Sequence, residues 1–374
     1  MKAQISASAV KNNLQVIRKH IHPNTSLCSA VKADAYGHGA DLLVDIIAES
    51  SEMLAVSTPF EAIELRLLGY QGSILMFLSV FGFASESERK EALANLIMQK
   101  ITMTLVSPLE ISLISSIAQR LKVDAKVHIK IDTGMGRSGI PAENALDLIQ
   151  KVKETPGIKL TGIYTHFADA AAADKTFTFF QLQTFKKILN NCITKGLVLH
   201  SANSAATIDI KETYFDMVRP GLSIYGYQPS DTMHNHLPLQ PALKLTSQLT
   251  QTKQVKAGTS CGYGLTHKFS KNARIGIVPI GYGDGYLRCL SNRAAVGVGG
   301  KYAPIRGAVS MDQIIVELTG IPEVYAGDTV EIISPDPKAP NSVENLARLS
   351  NTIPYEITCR LGCRITRVLV DSFD

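Results

Sequence analysis

Apolar residues recur through the first two thirds of the chain in two alternating textures. Short apolar runs read as buried strands at 27–31, 53–57, 73–77, 101–106, 125–131, 159–166, 197–200 and 215–218. Between them lie stretches such as DLLVDIIAES, TPFEAIELRLLGY and ALDLIQKVKE. Their apolar residues stand three or four apart, the spacing of one helix face. Thr58, just ahead of Pro59 and with Glu61 following, predicts a helix N-cap. Eight strands alternating with helices over this length predict an α/β fold, a (β/α)8 TIM-like barrel rather than an open doubly wound sheet.

From about Pro241 the pattern changes. KLTSQLTQTKQVKAG, ARIGIVPIGYG, AAVGVGGKYAPIRGAVSMDQIIVEL and GDTVEII are strand-like, with Gly-containing turns and no long helices between them. NSVENLARLS predicts one late helix, and YEITCRLGCRITRVLV predicts a return to strand. The expected domains are a barrel over 1–235 and a mainly-β C-terminal domain over 236–374. The linker falls near HNHLPLQP, and residues 1–6 are candidates to join the C-terminal domain.

Composition narrows the class. Hydrophobic residues are 45% of 374, aromatics only 6%, and Trp is absent, so the core is expected to be aliphatic. The formal charge of +5 is spread along the chain without a Lys/Arg block, which argues against a nucleic-acid or membrane partner. Six Cys in a chain this long make no disulfide framework, and Cys359 with Cys363 lacks the further ligands of a zinc site. The opening has no continuous apolar segment of the signal-peptide kind, and GSILMFLSVFGFA (72–84) is too short to span a bilayer. A soluble cytoplasmic protein with reduced thiols is expected.

In such barrels chemistry gathers where strands end and loops begin. Lys32 comes after the first strand, with Tyr36, Gly37, His38 and Gly39 close behind. Arg137 comes after the fifth, His166 ends the sixth, Asn203 and Ser204 come after the seventh, and Arg219, Gly221 and Tyr225 after the eighth. The loops after strands seven and eight are a frequent phosphate site, and here they offer a Ser hydroxyl and a Gly backbone N–H. A lysine facing the same mouth is the natural partner of an aldehyde, so the set points to pyridoxal phosphate held as a Schiff base. The alternative is a rim lysine paired with Asp34. In KVHIKID, alternation turns His128 and Lys130 inward; an inward lysine needs a compensating charge, a modification, or an ion pair such as one with Asp132. GMGRSG (134–139) matches a dinucleotide fingerprint, with Glu154 further on, but IPAEN stands where a helix should open. GYGDGY lies in strand-rich context and marks turns.

Taken together, AVKADAYGHG, HIKIDTGMGRSG, YTHFADA, NSAAT, VRPGLSIYG, GYGLT, PIGYGDGY and GAVSMD resemble, in order, the motifs of the alanine racemase family. The resemblance spans nearly the whole chain. It implies a pyridoxal-phosphate enzyme interconverting L- and D-alanine, with D-alanine passing to peptidoglycan, and a head-to-tail homodimer with shared active sites. It makes Lys32 the Schiff-base lysine and Tyr263, from the partner subunit, the base on the opposite face. It gives Tyr36, Ser204, Gly221, Leu222 and Tyr355, with Asn203 beside them, to the cofactor's phosphate end. Arg219, with His166 behind it, would face the pyridine nitrogen, and Arg137 the phenolic oxygen and the substrate carboxylate. Met311 and Asp312 would bind substrate, Tyr282 would line the entrance, and Lys130 matches a lysine that some members carry as a carbamate. The family often has Arg where this chain has Ala308, and the chain lacks the family's frequent early Trp. Alternatives on the same scaffold are a serine or broad-specificity racemase and a barrel-type pyridoxal-phosphate decarboxylase. A pyridoxal-phosphate carrier would lack the C-terminal domain, and a nicotinamide oxidoreductase rests on GMGRSG alone.

Overall fold

The apolar runs close into a single parallel sheet. The computed structural model describes residues 1–79 and 85–373, so the distal part of the stretch 72–84 lies outside the described residues. After β1 (Lys2–Ser6), the strands β2 (Ser26–Ala30), β3 (Met53–Val56), β4 (Ser73–Met76) and β5 (Thr102–Leu105) pair in order. They are succeeded by β6 (Ala125–Asp132), β7 (Ile158–Tyr164), β8 (Val198–His200) and β9 (Met217–Val218). Met217 lies opposite Ser26, so the last strand returns to the first and the eight strands β2 to β9 form a closed barrel. Strands β3, β4 and β5 are buried almost throughout, as expected where a parallel sheet is covered by helices outside and side chains inside.

Helices alternate with these strands: α1 (Ala7–His20), α2 (Ala40–Ala48), α3 (Pro59–Leu67), α4 (Glu86–Met98), α5 (Leu109–Leu121), α6 (Ala145–Glu154), α7 (Thr176–Asn190) and α8 (Ser204–Asp209). The N-cap read at Thr58 is a full capping box. Its hydroxyl accepts the Glu61 N–H at 3.3 Å, and the Glu61 carboxylate accepts the Thr58 N–H at 2.9 Å. Among the described residues no helix is long and apolar enough to cross a membrane.

Beyond the barrel the chain is mainly β. A six-stranded sheet runs in the order Lys301–Pro304, Ala295–Val298, Thr329–Ile333, Leu243–Gln248, β1, Thr366–Val370. The first residues of the chain thus lie between strands from its last third: Lys2 pairs antiparallel with Thr246 and parallel with Thr366. Alternation in KAQIS fixes this, since Ala3 and Ile5 are fully buried while Lys2 and Gln4 are not. A three-stranded sheet of Gln251–Val255, Ala273–Val278 and Ile314–Glu317 packs nearby. NSVENLARLS forms helix α9 (Val343–Leu349). The strand reading of YEITCRLGCRITRVLV needs correction, because its first third is a helix, α10 (Pro354–Cys359), and only Thr366–Val370 is strand. Pro354 at the first helical position supplies the reason: its fixed φ starts a helix where apolar spacing alone reads as strand.

A buried side chain ties the barrel to the β part of the chain. Asn13 of α1 donates to the carbonyls of Ile224 and Gln240 at 3.0 and 2.8 Å and accepts the Gln240 N–H at 2.7 Å. Asn13→Leu fills similar space but strands these backbone groups, so stability should fall by about 2 kcal/mol or more. Urea denaturation measures it; an unchanged midpoint would show that the staple is dispensable.

Candidate active site

A cavity of about 490 Å³ opens at the ends of the barrel strands. Lys32, Lys130, Arg137 and Arg219 all line it, and among its described lining residues there is no carboxylate. Lys32 stands just beyond β2 and is half-buried, its amine 5.9 Å from the centre of the Phe77 ring. Burial, and then the nearby Arg137 charge, lower its pKa, with Glu61 opposing. Asp34 is not its partner. That carboxylate accepts the Ala40 N–H at 2.7 Å and lies 3.6 Å from Arg367.

The backbone after Lys32 is unusual. Ala33, Asp34, Ala35 and Tyr36 have φ of 52°, 54°, 51° and 56°, a full left-handed turn made without glycine. Such a conformation costs about 1–2 kcal/mol per residue. The sequence suggests a tight turn only at Gly37 and Gly39; the strain begins four residues earlier. Gly37 is required for a second reason, since a Cβ there would meet the Thr358 carbonyl oxygen at 2.0 Å. His38 is fully buried, stacks on Tyr225 and bonds through Nδ1 to the carbonyls of Ala35 and Tyr36, so it braces the turn.

This turn aims the Tyr36 ring at Gly221. A Cβ at Gly221 would lie 2.3 Å from the Tyr36 hydroxyl oxygen, so only glycine permits the approach. The Gly221 N–H donates to the Ser204 hydroxyl oxygen at 2.8 Å, and Tyr355 lines the same cavity. Asn203 is the N-cap of α8, with its side chain accepting the Ala206 N–H at 3.0 Å, and this sets Ser204 at the first turn. Leu222, next after Gly221, lies in a buried 3-10 turn. Burial pushes the Tyr355 phenol up to about 12 and Tyr36 higher still, so both stay protonated. Hydroxyl and backbone donors thus converge beside four cations, which is what a bound phosphate requires.

Arg219 is 4% exposed, and burial lowers its pKa to about 10, which leaves it charged at neutral pH. It donates to the carbonyls of Thr165 and Ser201 at 2.9 and 3.1 Å. Its nearest imidazole is His200, at 2.7 Å, while His166 stands at 3.4 Å. The expectation of His166 behind Arg219 is therefore met only by a long contact. A guanidinium can only donate. So His200 accepts at Nδ1, carries its proton at Nε2, and gives it to Nδ1 of His128 at 2.9 Å. Burial and then Arg219 hold both imidazoles well below the ordinary range, so the chain stays neutral. No carboxylate touches Arg219 among its described contacts.

Lys130 points inward, 7% exposed, with its amine 5.9 Å from the Tyr164 ring centre. Burial, together with Arg137 and Arg219, lowers its pKa to about 8. Asp132 does not pair with it. Burial alone would raise that carboxyl, but the N–H groups of Gly134, Gly136 and Met135 hold it below the usual range. These same bonds fold GMGRSG into a turn and not a helix start, which removes the dinucleotide reading.

Tyr263, Tyr282, Met311 and Asp312 do not line this cavity. They lie in the mainly-β part, where Tyr263 is 75% exposed and Met311 is 53% exposed. Ala308 borders a second, smaller hollow beside Gly262 and Tyr263. The Tyr282 N–H donates to the Ser310 carbonyl at 3.0 Å, which joins GYGDGY to GAVSMD. Asp312 accepts from Arg364 at 2.7 Å, and Arg364 also reaches Asp284.

Two residues that support this site are missed by reading only the positions beyond each strand. His128 lies within β6 and His200 is the last residue of β8, so only the inward face of KVHIKID and the end of LVLH signal them.

Comparisons with known proteins agree with this fold. The family model for the alanine racemase N-terminal domain matches residues 5–229, and that for the alanine racemase C-terminal domain matches residues 242–369. The alanine racemase of Methanococcus maripaludis is 38% identical over 98% of this chain and 97% of its own. The crystal structure of alanine racemase from a D-cycloserine-producing Streptomyces lavendulae has a TM-score of 0.92 at 32% identity, over 100% of this chain and 97% of that one. That from Bartonella henselae, with covalently bound pyridoxal phosphate, has a TM-score of 0.87 at 29% identity, over 99% of both chains. With both halves of the family matched across a closed barrel and its β domain, the chain is an isomerase and belongs to the alanine racemase family.

Proposed function

We propose that this protein interconverts L- and D-alanine by a two-base reaction using pyridoxal phosphate, in a homodimer whose C-terminal domains complete each other's sites. One observation carries the reading: a cavity with four cations, no carboxylate among its described lining residues, and a hydroxyl-lined cradle that a Cβ at Gly221 would fill. That donor set fits a phosphorylated aldehyde. Tyr36, Ser204, Gly221, Leu222 and Tyr355, with Asn203 setting the helix, would hold the phosphate. Lys32 would hold the aldehyde carbon. When bound, the cofactor supplies an electron sink conjugated to the Cα of the amino acid.

The chain's own residues divide the remaining work. Racemisation removes a proton from one face of Cα and returns one to the other, and each positioned acid–base group contributes roughly 10²–10⁴ in rate. Lys32, its pKa lowered by burial and Arg137, is the base for one face. Tyr263 is the base for the other. Its high exposure, and its absence from the Lys32 cavity, support delivery from a second copy. Arg137, the Met311 N–H and Asp312 would orient the substrate carboxylate, with Tyr282 at the entrance. Arg219 would face the pyridine nitrogen as a donor that keeps its own proton, which would leave the electron sink weaker than a protonated ring. Lys130, which forms no ion pair among the described residues, is a site for carbamylation, which would give Arg137 an anion to rest on. The product would serve cytoplasmic peptidoglycan synthesis.

Incubation with L-alanine and pyridoxal phosphate in deuterated water tests the reading. D-Alanine carrying deuterium at Cα is expected; exchange without inversion, or neither signal, would contradict it. Tyr263→Phe should abolish racemisation equally in both directions, because the enantiomers are equally stable. Loss of Cα deuterium without inversion should persist for one enantiomer only, and persistence for both or neither would remove Tyr263 from its role. Arg219→Glu should divert alanine toward pyruvate, read by a coupled lactate dehydrogenase assay. No rise in pyruvate relative to racemisation would sink the weak-sink account.

A further inference from the structure

Glu61 does more than cap a helix. A capping box asks its carboxylate to accept one backbone N–H, that of Thr58. Here the same carboxylate accepts three. Oε2 takes Ser57 and Thr58, at 2.7 and 2.9 Å, and Oε1 takes Ala33 at 2.7 Å. Ala33 is the residue after Lys32 and the first of the left-handed turn. Nothing in the folding of α3 requires that third bond. It crosses to another segment of chain and ends beside Lys32.

The rest of the turn is held from its far side. Arg367 donates to the Gly37 carbonyl at 2.8 Å, Asp34 caps Ala40, and the backbone at Gly37 abuts α10. Val31 is paired with Ala55 of β3 just ahead of it, and Glu61 is the side chain, among the described contacts, that grips Ala33 at its leading end, tying it to the two residues after β3. A left-handed run without glycine persists only where its surroundings over-determine it. Release of the leading end would let Lys32 shift with it. Glu61 is also the carboxylate whose charge opposes the effect of Arg137 on the Lys32 amine.

We propose that Glu61 is a positioning residue for Lys32: it clamps the start of the strained turn so that the amine is held on one face of the substrate. This rests on the assignment of Lys32 to the cofactor. Glu61→Gln separates the clamp from the cap. A carboxamide has a single acceptor oxygen, so its NH2 must face either Ala33 or the Ser57–Thr58 pair. Thr58→Ala is the control, since it weakens the helix cap and leaves the Ala33 bond intact.

Both variants and the wild type, as full chains saturated with pyridoxal phosphate, are compared by steady-state kinetics, visible circular dichroism of the bound cofactor, and peptide mapping after borohydride reduction. For Glu61→Gln, kcat should fall on the order of 10-fold with KM for alanine within about 3-fold, as expected when a catalytic group is misplaced rather than lost. Its visible dichroism should drop to about half at equal occupancy, reporting a looser attachment. Thr58→Ala should match wild type in kcat and dichroism while unfolding at a lower temperature. Should Glu61→Gln fail to fold, Glu61→Asp, too short to bridge both segments, is measured in its place with the same expected losses. Equal effects of the Glu61 and Thr58 variants, or unchanged kcat and dichroism with the label on Lys32, would overturn the clamp. A label on another lysine in the wild type would overturn the assignment of Lys32 itself, and the clamp with it.

Discussion

Four positive side chains facing one cavity without a carboxylate among its described lining residues is the constraint on which the rest of the site depends. Like charges at this density repel, and burial adds a desolvation cost, so the arrangement is sustained by scaffold stability and by whatever anion it receives. The barrel provides the scaffold. Lys32 and Arg219 stand just beyond β2 and β9, Lys130 lies within β6 and Arg137 in the turn after it, so the closed sheet holds these charges around one mouth. The effects agree in sign: Lys32 and Lys130 are pushed toward the neutral amine, and His128 and His200 are kept unprotonated. A phosphate, a substrate carboxylate and a carbamate on Lys130 are the anions this field would accept.

Rigidity in the mouth comes from both parts of the chain. The left-handed turn after Lys32 leans on α10 and Arg367, and the Tyr36 ring packs between Tyr225 and Tyr355. Tyr355 itself comes from α10, yet lines the barrel's cavity along with Ser204. The β domain thus shapes the barrel's own site as well as presenting Tyr263 and Met311 outward. β1, paired between strands of that domain, and Asn13, gripping Gln240, keep the two parts in register.

Much of this is written in the chain where side-chain pattern and backbone agree. All eight barrel strands fall where apolar runs predict them, because strands buried on both faces leave an unmistakable hydrophobic run. Rim residues such as Lys32, Arg219 and Gly221 are found by reading the first polar positions beyond each strand. Other features are silent in sequence. ADAY carries no glycine, so its left-handed turn is imposed by contacts from Glu61, Arg367 and Thr358 that no local pattern announces. The preference of Arg219 for His200 over His166 depends on side-chain reach across the barrel, a distance of tenths of an ångström that alternation cannot resolve. Tyr355 reads as strand because YEIT alternates, yet proline and packing make it helix.

Lys32 and Tyr263 stand at separate places in one chain, so the account requires two copies to build one site. The most direct test mixes two inactive variants, Lys32→Ala and Tyr263→Phe, under conditions that exchange subunits. In a two-fold dimer with shared sites, statistical mixing makes half the dimers hybrid, each with one intact site, so about a quarter of wild-type activity should return. No recovery, with subunit exchange confirmed by mass, would mean that Lys32 and Tyr263 do not act on one substrate from opposite copies.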